Sequence, residues 1–167
     1  MDNSQIIFKE SQKFDQWWLR TIILAGSALV WWAFYNQIIL EKPWGSNPGP
    51  DWLVIALVLI IGIGLPLLFF SIQLITIITA DSIRIRFLPF QFKGRIIPVN
   101  EIERFEIRQY RPIFEYGGWG IKYGKSGLAY NVKGKTGLQL YLKNDDKILI
   151  GTQKKDFLKM AMENVIR

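Results

Sequence analysis

The 167-residue chain contains neither cysteine nor histidine. Without cysteine there is no disulfide framework, no thiolate nucleophile and no Cys-ligated metal. Without histidine the chain also lacks the commonest general base and the commonest ligand of transition metals. Few enzymes lack both residue types, so we expect no enzyme, no cofactor and no metal site, although carboxylate, lysine or serine chemistry stays open.

Charge is missing from two long stretches, residues 21–40 and 52–80, and 26 of the 35 charged residues follow Ala80. Half of the residues are hydrophobic, which is a high fraction for a chain with a net charge of +7. Two uncharged apolar stretches joined to a charged remainder are typical of an integral membrane protein.

Aromatic residues flank the first apolar stretch, with Trp17 and Trp18 before it and Trp31, Trp32 and Tyr35 near its end. Tryptophan and tyrosine favour the headgroup region of a bilayer. A helix from Trp17 to Tyr35 rises about 27 Å, which is close to the roughly 30 Å of hydrocarbon in a bilayer. We predict a transmembrane helix over 17–39, with a buried core helix of a soluble protein as the alternative.

The second apolar stretch is longer than one membrane span needs. We predict a transmembrane helix over 52–71, and a strand over Gln73–Thr79 because β-branched residues are dense there. One long tilted helix is the alternative for 73–79. Pro66 removes a backbone donor and crowds the carbonyl of Gly62, so a kink is expected near these residues.

The two predicted spans form a hairpin over 17–72, with residues 40–51 as the outer loop. That loop holds one basic residue, Lys42, whereas Lys9, Lys13 and Arg20 precede the first span, and Arg84 and Arg86 follow the second. The positive-inside rule then places both termini in the cytosol and makes the chain a multi-pass protein of the cell membrane. Residues 1–16 form a cytosolic N-terminal segment, and the first span lacks the features of a signal peptide.

Small residues allow two membrane helices to approach closely. Counted from the cytosolic ends, Gly26 lies at about the same depth as Gly62 and Gly64. We therefore predict that Gly26 faces Gly62 or Gly64 across the hairpin.

The pattern changes after Ala80 to short strands and turns. After Ser82, residues 83–87 alternate isoleucine or phenylalanine with arginine, and residues 138–142 alternate leucine with glutamine or tyrosine. Leu158, Ala161, Met162 and Val165 then form one apolar stripe at helical spacing. The sequence predicts an α+β domain over 73–167, a curved antiparallel sheet or partial barrel capped by a C-terminal helix over 153–166.

This order of elements resembles the pleckstrin-homology-like (PH-like) superfold. Residues 115–124, Glu-Tyr-Gly-Gly-Trp-Gly-Ile-Lys-Tyr-Gly, and residues 138–153 make the chain similar to small bacterial two-span membrane proteins of uncharacterised function with a PH-like domain. The resemblance implies a fold and a membrane location but no activity. PH domains that bind phosphoinositides carry a basic loop between their first two strands. The corresponding loop here, Thr79–Ser82, is short and not basic, so that ligand does not carry over.

Several motifs resemble functional sites without meeting their requirements. Gly124-Lys125-Ser126 and Gly134-Lys135-Thr136 mimic phosphate loops, but each lacks the glycine five positions earlier and neither opens a helix. Glu101, Glu103 and Glu106 are close in sequence but lie among arginines, so we interpret them as a solvated, ion-paired face.

The region after Ala80 holds 17 Lys and Arg against 9 Asp and Glu. Near a membrane, each well-placed cation contributes about 1 kcal/mol of attraction to anionic lipids. Nucleic acid could use the same charge, with Trp119, Tyr123 and Tyr130 as stacking residues, but we do not expect it, and an ordinary basic surface is the third interpretation. The candidate residues for anionic-lipid contact are Arg84, Arg86, Lys93, Arg95, Lys122, Lys125, Lys133 and Lys135.

Three functions fit this sequence. The first is a non-enzymatic, membrane-anchored binding or scaffold module that contacts lipid, a protein partner or a second copy of itself. The second is an accessory subunit of a larger membrane complex. The third, an enzyme at the bilayer surface, has no nucleophile and base pattern behind it, and no small-molecule substrate is identified.

Overall fold

The computed structural model describes residues 5–42 and 48–166. Part of the predicted outer loop (43–47), the first four residues of the predicted N-terminal segment and Arg167 lie outside the described residues. The chain divides into two compact units. One is a helical hairpin, Asp15–Ser71, and the other, the β-domain, combines the described residues before Asp15 with those from Ile72 onward.

The first sheet of the β-domain has four antiparallel strands in chain order. They are β1 (Ile6–Lys13), β2 (Gln73–Thr79), β3 (Ser82–Leu88) and β4 (Gln91–Pro98). Strand β1 precedes the hairpin and β2 follows it, and Lys13 lies directly opposite Gln73. The helical hairpin therefore stands where two neighbouring strands of a sheet would ordinarily be joined by a turn.

The second sheet has the strand order β5-β8-β9-β7-β6. Its strands are β5 (Ile102–Gln109), β6 (Gly120–Gly124), β7 (Gly127–Asn131), β8 (Thr136–Leu142) and β9 (Lys147–Gly151). All neighbours are antiparallel except β7 and β9, which run parallel. In the hairpin and the β-domain the described helices are α1 (Trp17–Phe34), α2 (Asp51–Leu57), α3 (Leu65–Ser71), α4 (Pro112–Tyr116) and α5 (Lys155–Val165).

One hydrophobic core joins both sheets to α5. Its members come from alternate positions of the strands, such as Leu74 and Ile78 on β2 and Ile83 and Ile85 on β3. Leu158, Ala161 and Met162 of α5 are buried in the same core, and Val165 packs against it. The helical stripe predicted from the sequence is therefore the face that α5 buries.

The hairpin consists of two long helices. The first continues from α1 as π-helix through Tyr35–Ile39, and the second runs from α2 through a π-helical stretch, Val58–Gly64, into α3. Both helices, Trp17–Ile39 and Asp51–Ser71, are long and apolar enough to cross a membrane by length and composition. Their bounds agree closely with the two predicted spans.

The predicted α+β class is confirmed, but in place of one antiparallel sheet the β-domain has two sheets, one of which contains the parallel pair β7 and β9. Residues 73–79 form strand β2, so the alternative of a long tilted helix is wrong there. Helix α5 covers Lys155–Val165, one to two residues shorter at each end than the predicted 153–166. Strand β1 lies within what the sequence suggested was a separate N-terminal segment, 1–16.

Candidate functional site

An open cleft lies in the β-domain where the two sheets part at their free edges. The edge strand β4 and the turn before it form one wall, and strands β6 and β7 form the other. Its volume, 620 Å³, lies within the range of about 300–1,000 Å³ that small-molecule sites occupy. The lining residues are Phe90, Gln91, Phe92, Lys93, Gly94, Arg95, Ile121, Tyr123, Leu128 and Tyr130.

A bulge in β4 shapes the cleft. Ile85 of β3 pairs with Arg95, and Phe87 pairs with Gln91. Between these two pairs β3 advances by two residues and β4 by four, so β4 contains two extra residues. Gly94 makes this possible with φ +73°, and a Cβ there would lie only 2.5 Å from the carbonyl oxygen of Ile85. The extra residues bend the edge strand and interrupt its row of free backbone groups.

Three large aromatic side chains at the cleft are exposed to solvent. Phe90 is 59% exposed, Phe92 67% and Tyr123 81%. The Nε–H group of Arg86 donates to the carbonyl of Phe92 at 3.0 Å, which ties the bulge to β3. Phe90 and Phe92 were not identified from the sequence, although the run Phe-Leu-Pro-Phe-Gln-Phe at 87–92 is a signal, because so apolar a turn is unusual.

Two cations line the cleft. Lys93 is exposed, and the guanidinium of Arg95 lies 3.8 Å from the Oδ2 atom of Asp146. An ion pair this long at a partly exposed position contributes little to stability. The guanidinium of Arg95 therefore keeps most of its donors for another anion.

Gln91 presents an unsatisfied acceptor at the cleft. Its Oε1 atom is buried and has no hydrogen-bond partner within the part of the chain that the structure describes. A buried acceptor without a donor costs about 1–3 kcal/mol. Because Gln91 lines the cleft, a turn of its side chain toward a ligand hydroxyl or N–H group would recover that energy.

Of the eight basic residues predicted for lipid contact, the structure brings only Lys93 and Arg95 together at the cleft. The others are spread over the β-domain. Arg84 and Arg86 point away from the core on β3, Lys122 lies on β6, Lys125 in the β6–β7 turn, and Lys133 and Lys135 in the β7–β8 loop. Tyr130 is buried, so it offers no face for stacking a nucleic-acid base.

From the sequence we expected Glu101, Glu103 and Glu106 to form ion pairs with the arginines near them. One of those arginines, Arg108, forms its ion pair with Glu115, at 2.9 Å. Burial alone would raise the pKa of Glu115, but the bonds from the Arg108 guanidinium and the Arg111 N–H outweigh it and lower that pKa. This pair fastens α4 to β5 and gives a structural role to a residue of the 115–124 motif.

Glu106 accepts a hydrogen bond from the hydroxyl of Tyr141 at 2.7 Å. This bond to a carboxylate is the main reason why the pKa of Tyr141 is raised. The guanidinium of Arg104 stacks on the same ring, 3.4 Å from its centre. Glu106 is therefore engaged in cross-strand packing on the outer face of the second sheet. Among residues 5–42 and 48–166, no group of three acidic residues is placed to hold a metal ion.

A buried carboxylate joins β1 to the end of the β-domain. The carboxylate of Glu10 accepts hydrogen bonds from the Thr152 hydroxyl at 2.6 Å and from the Gln153 N–H at 2.9 Å. Beside it, the Gln12 side chain donates to the carbonyl of Gly151 at 2.7 Å. Because these contacts link residues about 140 positions apart in sequence, β1 is an integral part of the β-domain.

Within the hairpin, the contact forms one position away from the prediction. The Ser27 hydroxyl donates to the carbonyl of Gly62 at 2.7 Å, and the Trp31 indole N–H donates to the same carbonyl at 3.4 Å. A Cβ at Gly26 would meet no atom of another segment within 4 Å, so the structure does not place Gly26 at this contact. In an α-helical register the Gly62 carbonyl would accept from the N–H of residue 66, which proline lacks, and the Ser27 hydroxyl and Trp31 indole supply donors to it from the first helix.

These features define an α+β protein in which two long apolar helices are inserted between the first and second strands of the β-domain. A model of a family of unknown function, DUF6141, matches residues 1–165. The chain belongs to this family. No curated protein is found to match it.

Proposed function

We propose that the chain is an integral membrane protein whose hairpin spans the bilayer and whose β-domain lies in the cytosol. There the β-domain acts as a non-enzymatic binding module for the anionic membrane surface or for a protein partner. This assignment agrees with the small bacterial two-span membrane proteins that the sequence resembles.

The exposure of apolar side chains on the hairpin carries the proposal. Only 17% of the most apolar window of each helix is buried. A core helix of a soluble protein would bury most of its apolar residues, and contiguous apolar surface of this extent is unfavourable in water. The exposed side chains include Ile22, Leu24, Leu29, Leu59, Ile60 and Leu67.

Residues at the helix ends support the same interpretation. Trp17 and Trp18 begin α1, Trp52 lies at the start of α2, and all three side chains are exposed. Tryptophan concentrates at membrane interfaces because its ring is partly apolar and its N–H group is polar. The excess of Lys and Arg outside the short loop between the helices favours a cytosolic β-domain.

The strand order supports a PH-like arrangement. Four antiparallel strands, β1–β4, are followed by the antiparallel set β5, β8 and β9 and by a C-terminal helix. If the paired strands β6 and β7 are regarded as an addition, seven strands and the C-terminal helix remain. The helical hairpin then replaces the loop between the first two strands, and Thr79–Ser82, which the sequence suggested was that loop, joins the second and third strands instead.

Cysteine accessibility tests the topology, because the natural chain has no cysteine. Single cysteines at Ser46 (outside the described residues) and at the exposed Lys125 would be treated with a membrane-impermeant maleimide in intact cells. We expect position 46 to react in intact cells and position 125 to react only after permeabilisation. Reaction at position 125 in intact cells would invert the topology and refute a cytosolic β-domain.

The same exposed hairpin suits a second function, that of an accessory subunit whose helices pack on those of a larger membrane complex. Side chains such as Leu59 and Ile60 are as compatible with protein helices as with lipid tails. Extraction in a mild detergent distinguishes the two functions. A stoichiometric partner that is lost when Leu59 and Ile60 are changed to bulkier phenylalanines would favour the subunit.

A further inference from the structure

We infer that the cleft between β4 and β6 binds the headgroup of one anionic phospholipid whose headgroup carries hydroxyls, with phosphatidylglycerol as the simplest example. The inference rests on the proposed function, because it requires a β-domain at the membrane surface. It assigns a site and a ligand class where the sequence suggested only scattered basic residues.

The location of the β3–β4 turn is the first argument. Lys13 at the end of β1 pairs with Gln73 at the start of β2, and Gln73 pairs with Leu88 at the end of β3. The turn that carries Phe90 therefore lies at the same end of the sheet as the two strand ends that lead into the hairpin. Ile72 alone separates α3 from β2, so a chain whose hairpin spans the bilayer leaves the membrane and enters the sheet at this end.

The exposed aromatic residues are the second argument. Phe90 and Phe92 on one wall and Tyr123 on the other are each more than half exposed, although the ring of Phe90 also lies 6.3 Å from that of Phe87. Aromatic side chains are stabilised at the boundary between headgroups and acyl chains. Their place at the membrane-proximal turn suits contact with the glycerol backbone and upper acyl chains of a lipid.

The polar groups of the cleft specify the headgroup. Lys93 and Arg95 supply positive charge for a phosphate, and the planar guanidinium of Arg95 can bind two phosphate oxygens at once. The Oε1 atom of Gln91 is buried and unpartnered, and a turn of this side chain toward the cleft would let it accept from a ligand. A phosphate diester has no donor to offer it, but a glycerol hydroxyl has. The ligand competes with Asp146 for the guanidinium of Arg95. This competition is weak, because the guanidinium lies 3.8 Å from the Asp146 carboxylate.

An extended peptide suits this edge less well. Strand addition needs an unbroken row of free backbone groups along the edge. The bulge around Gly94 interrupts that row in β4, and Pro98 at its end has no N–H. We therefore favour the lipid over an acidic peptide.

Native mass spectrometry of the full chain in detergent micelles tests the inference. The protein would be titrated with phosphatidylglycerol, phosphatidylcholine and phosphatidic acid, and with glycerol phosphate as the soluble source of the same chemistry. We expect one phosphatidylglycerol to bind more tightly than the other lipids. The pair K93Q/R95Q should weaken binding about 10–30-fold, since each cation contributes about a factor of five near an anionic ligand.

The pair K133Q/K135Q is the matched control, because it removes the same charge from a loop that does not line the cleft. Equal losses in both pairs would overturn the site, as would equal affinity for phosphatidylcholine. Displacement of the lipid by an equal concentration of glycerol phosphate would overturn the lipid as the source. Q91M should reduce the preference for phosphatidylglycerol over phosphatidic acid, and an unchanged preference would overturn the hydroxyl contact.

The cysteine labelling described above separates this inference from the proposed function. If labelling gives the expected topology and the K93Q/R95Q protein binds lipid normally, the cleft assignment fails and the proposed function stands. If position 125 is extracellular, both fail.

Discussion

The hairpin and the β-domain place their hydrophobic residues in opposite ways. In the β-domain, leucine and isoleucine side chains such as Leu74, Ile83 and Leu158 are fully buried in one core. In the hairpin, residues of the same types, such as Leu29 and Leu67, are exposed. The two units therefore need different surroundings, because the apolar surface that the β-domain hides within itself must be covered for the hairpin by something else.

The largest expected effect comes from separating the two units. Because Lys13 lies directly opposite Gln73, an Asn-Gly turn can replace residues 14–72 and join β1 to β2 as an ordinary hairpin. We expect residues 5–13 joined in this way to 73–166 to fold without detergent as a soluble domain. Cooperative thermal unfolding and a dispersed amide NMR spectrum would demonstrate it.

The matched control is the fragment 73–166 alone, which lacks β1. It loses the buried Phe8, leaves Thr152 and Gln153 without the Glu10 carboxylate, and exposes the edge of β2. We expect this fragment to fail to fold or to aggregate. Cooperative folding of 73–166 would show that β1 is peripheral, and a detergent requirement in the joined chain would mean that the β-domain has apolar surface beyond the hairpin.

A pair of leucine substitutions sharpens the comparison at the level of single side chains. Leu158 in α5 is 0% exposed and Leu67 in α3 is 67% exposed. L158A should lower the free energy of unfolding of the β-domain by about 2–5 kcal/mol, because a buried leucine leaves a cavity. In the full chain in micelles, L67A should leave β-domain unfolding unchanged within about 0.5 kcal/mol.

Chemical denaturation followed by β-domain circular dichroism measures both effects, and L158M is the control that keeps the volume nearly constant. A loss of less than about 1 kcal/mol in L158A would mean that the core collapses around the missing side chain. A loss of comparable size in L67A would mean that the hairpin supports the stability of the β-domain.

The elements that could be predicted from the sequence are those with a strong hydrophobic pattern. The two apolar helices, the alternation of β3 and the stripe of α5 are each visible as periodicity, and each corresponds to an element of the structure. These elements bury or expose one continuous set of apolar residues, so their period is sufficient to identify them.

Strand β1 was missed because two of its three inward positions are polar. Phe8, Glu10 and Gln12 are buried in turn, but only Phe8 is apolar, so no hydrophobic alternation marks the strand. Glu10 and Gln12 are buried because partners more than a hundred residues away in sequence satisfy them. Such partners are set by the tertiary fold, and single-sequence periodicity carries no information about them.

The cleft was missed for a related reason. Lys93 and Arg95 were identified with six other basic residues by composition, but only the pairing of β4 with β3 and the free edge of β6 bring them to a common site. The aromatic residues of the cleft come from two sheets and have no common spacing in the sequence. Gly26 illustrates the limit of depth matching, because it is Ser27, one position further along α1, that donates to the Gly62 carbonyl, and a Cβ at Gly26 meets no other segment.

The smallest expected effect concerns how the hairpin satisfies its own polar groups. S27A removes the hydroxyl that donates to the Gly62 carbonyl at 2.7 Å. Because hydrogen bonds between membrane helices contribute about 0.6 kcal/mol on average and up to about 1.7 kcal/mol, we expect a local loss of about 1 kcal/mol. Hydrogen exchange of the amides at 58–67, measured on the full chain in micelles, should accelerate about fivefold.

A double-mutant cycle with P66A tests the cause of this bond. Alanine at position 66 restores an N–H that can donate to the Gly62 carbonyl, so S27A should cost less in the P66A background, by about 0.5 kcal/mol or more. G26A is the control and should leave exchange unchanged, since a Cβ there meets no other segment. Additive effects of S27A and P66A would show that the proline does not create the need for the Ser27 hydroxyl. A larger effect in G26A than in S27A would restore Gly26 as the residue at the helix contact.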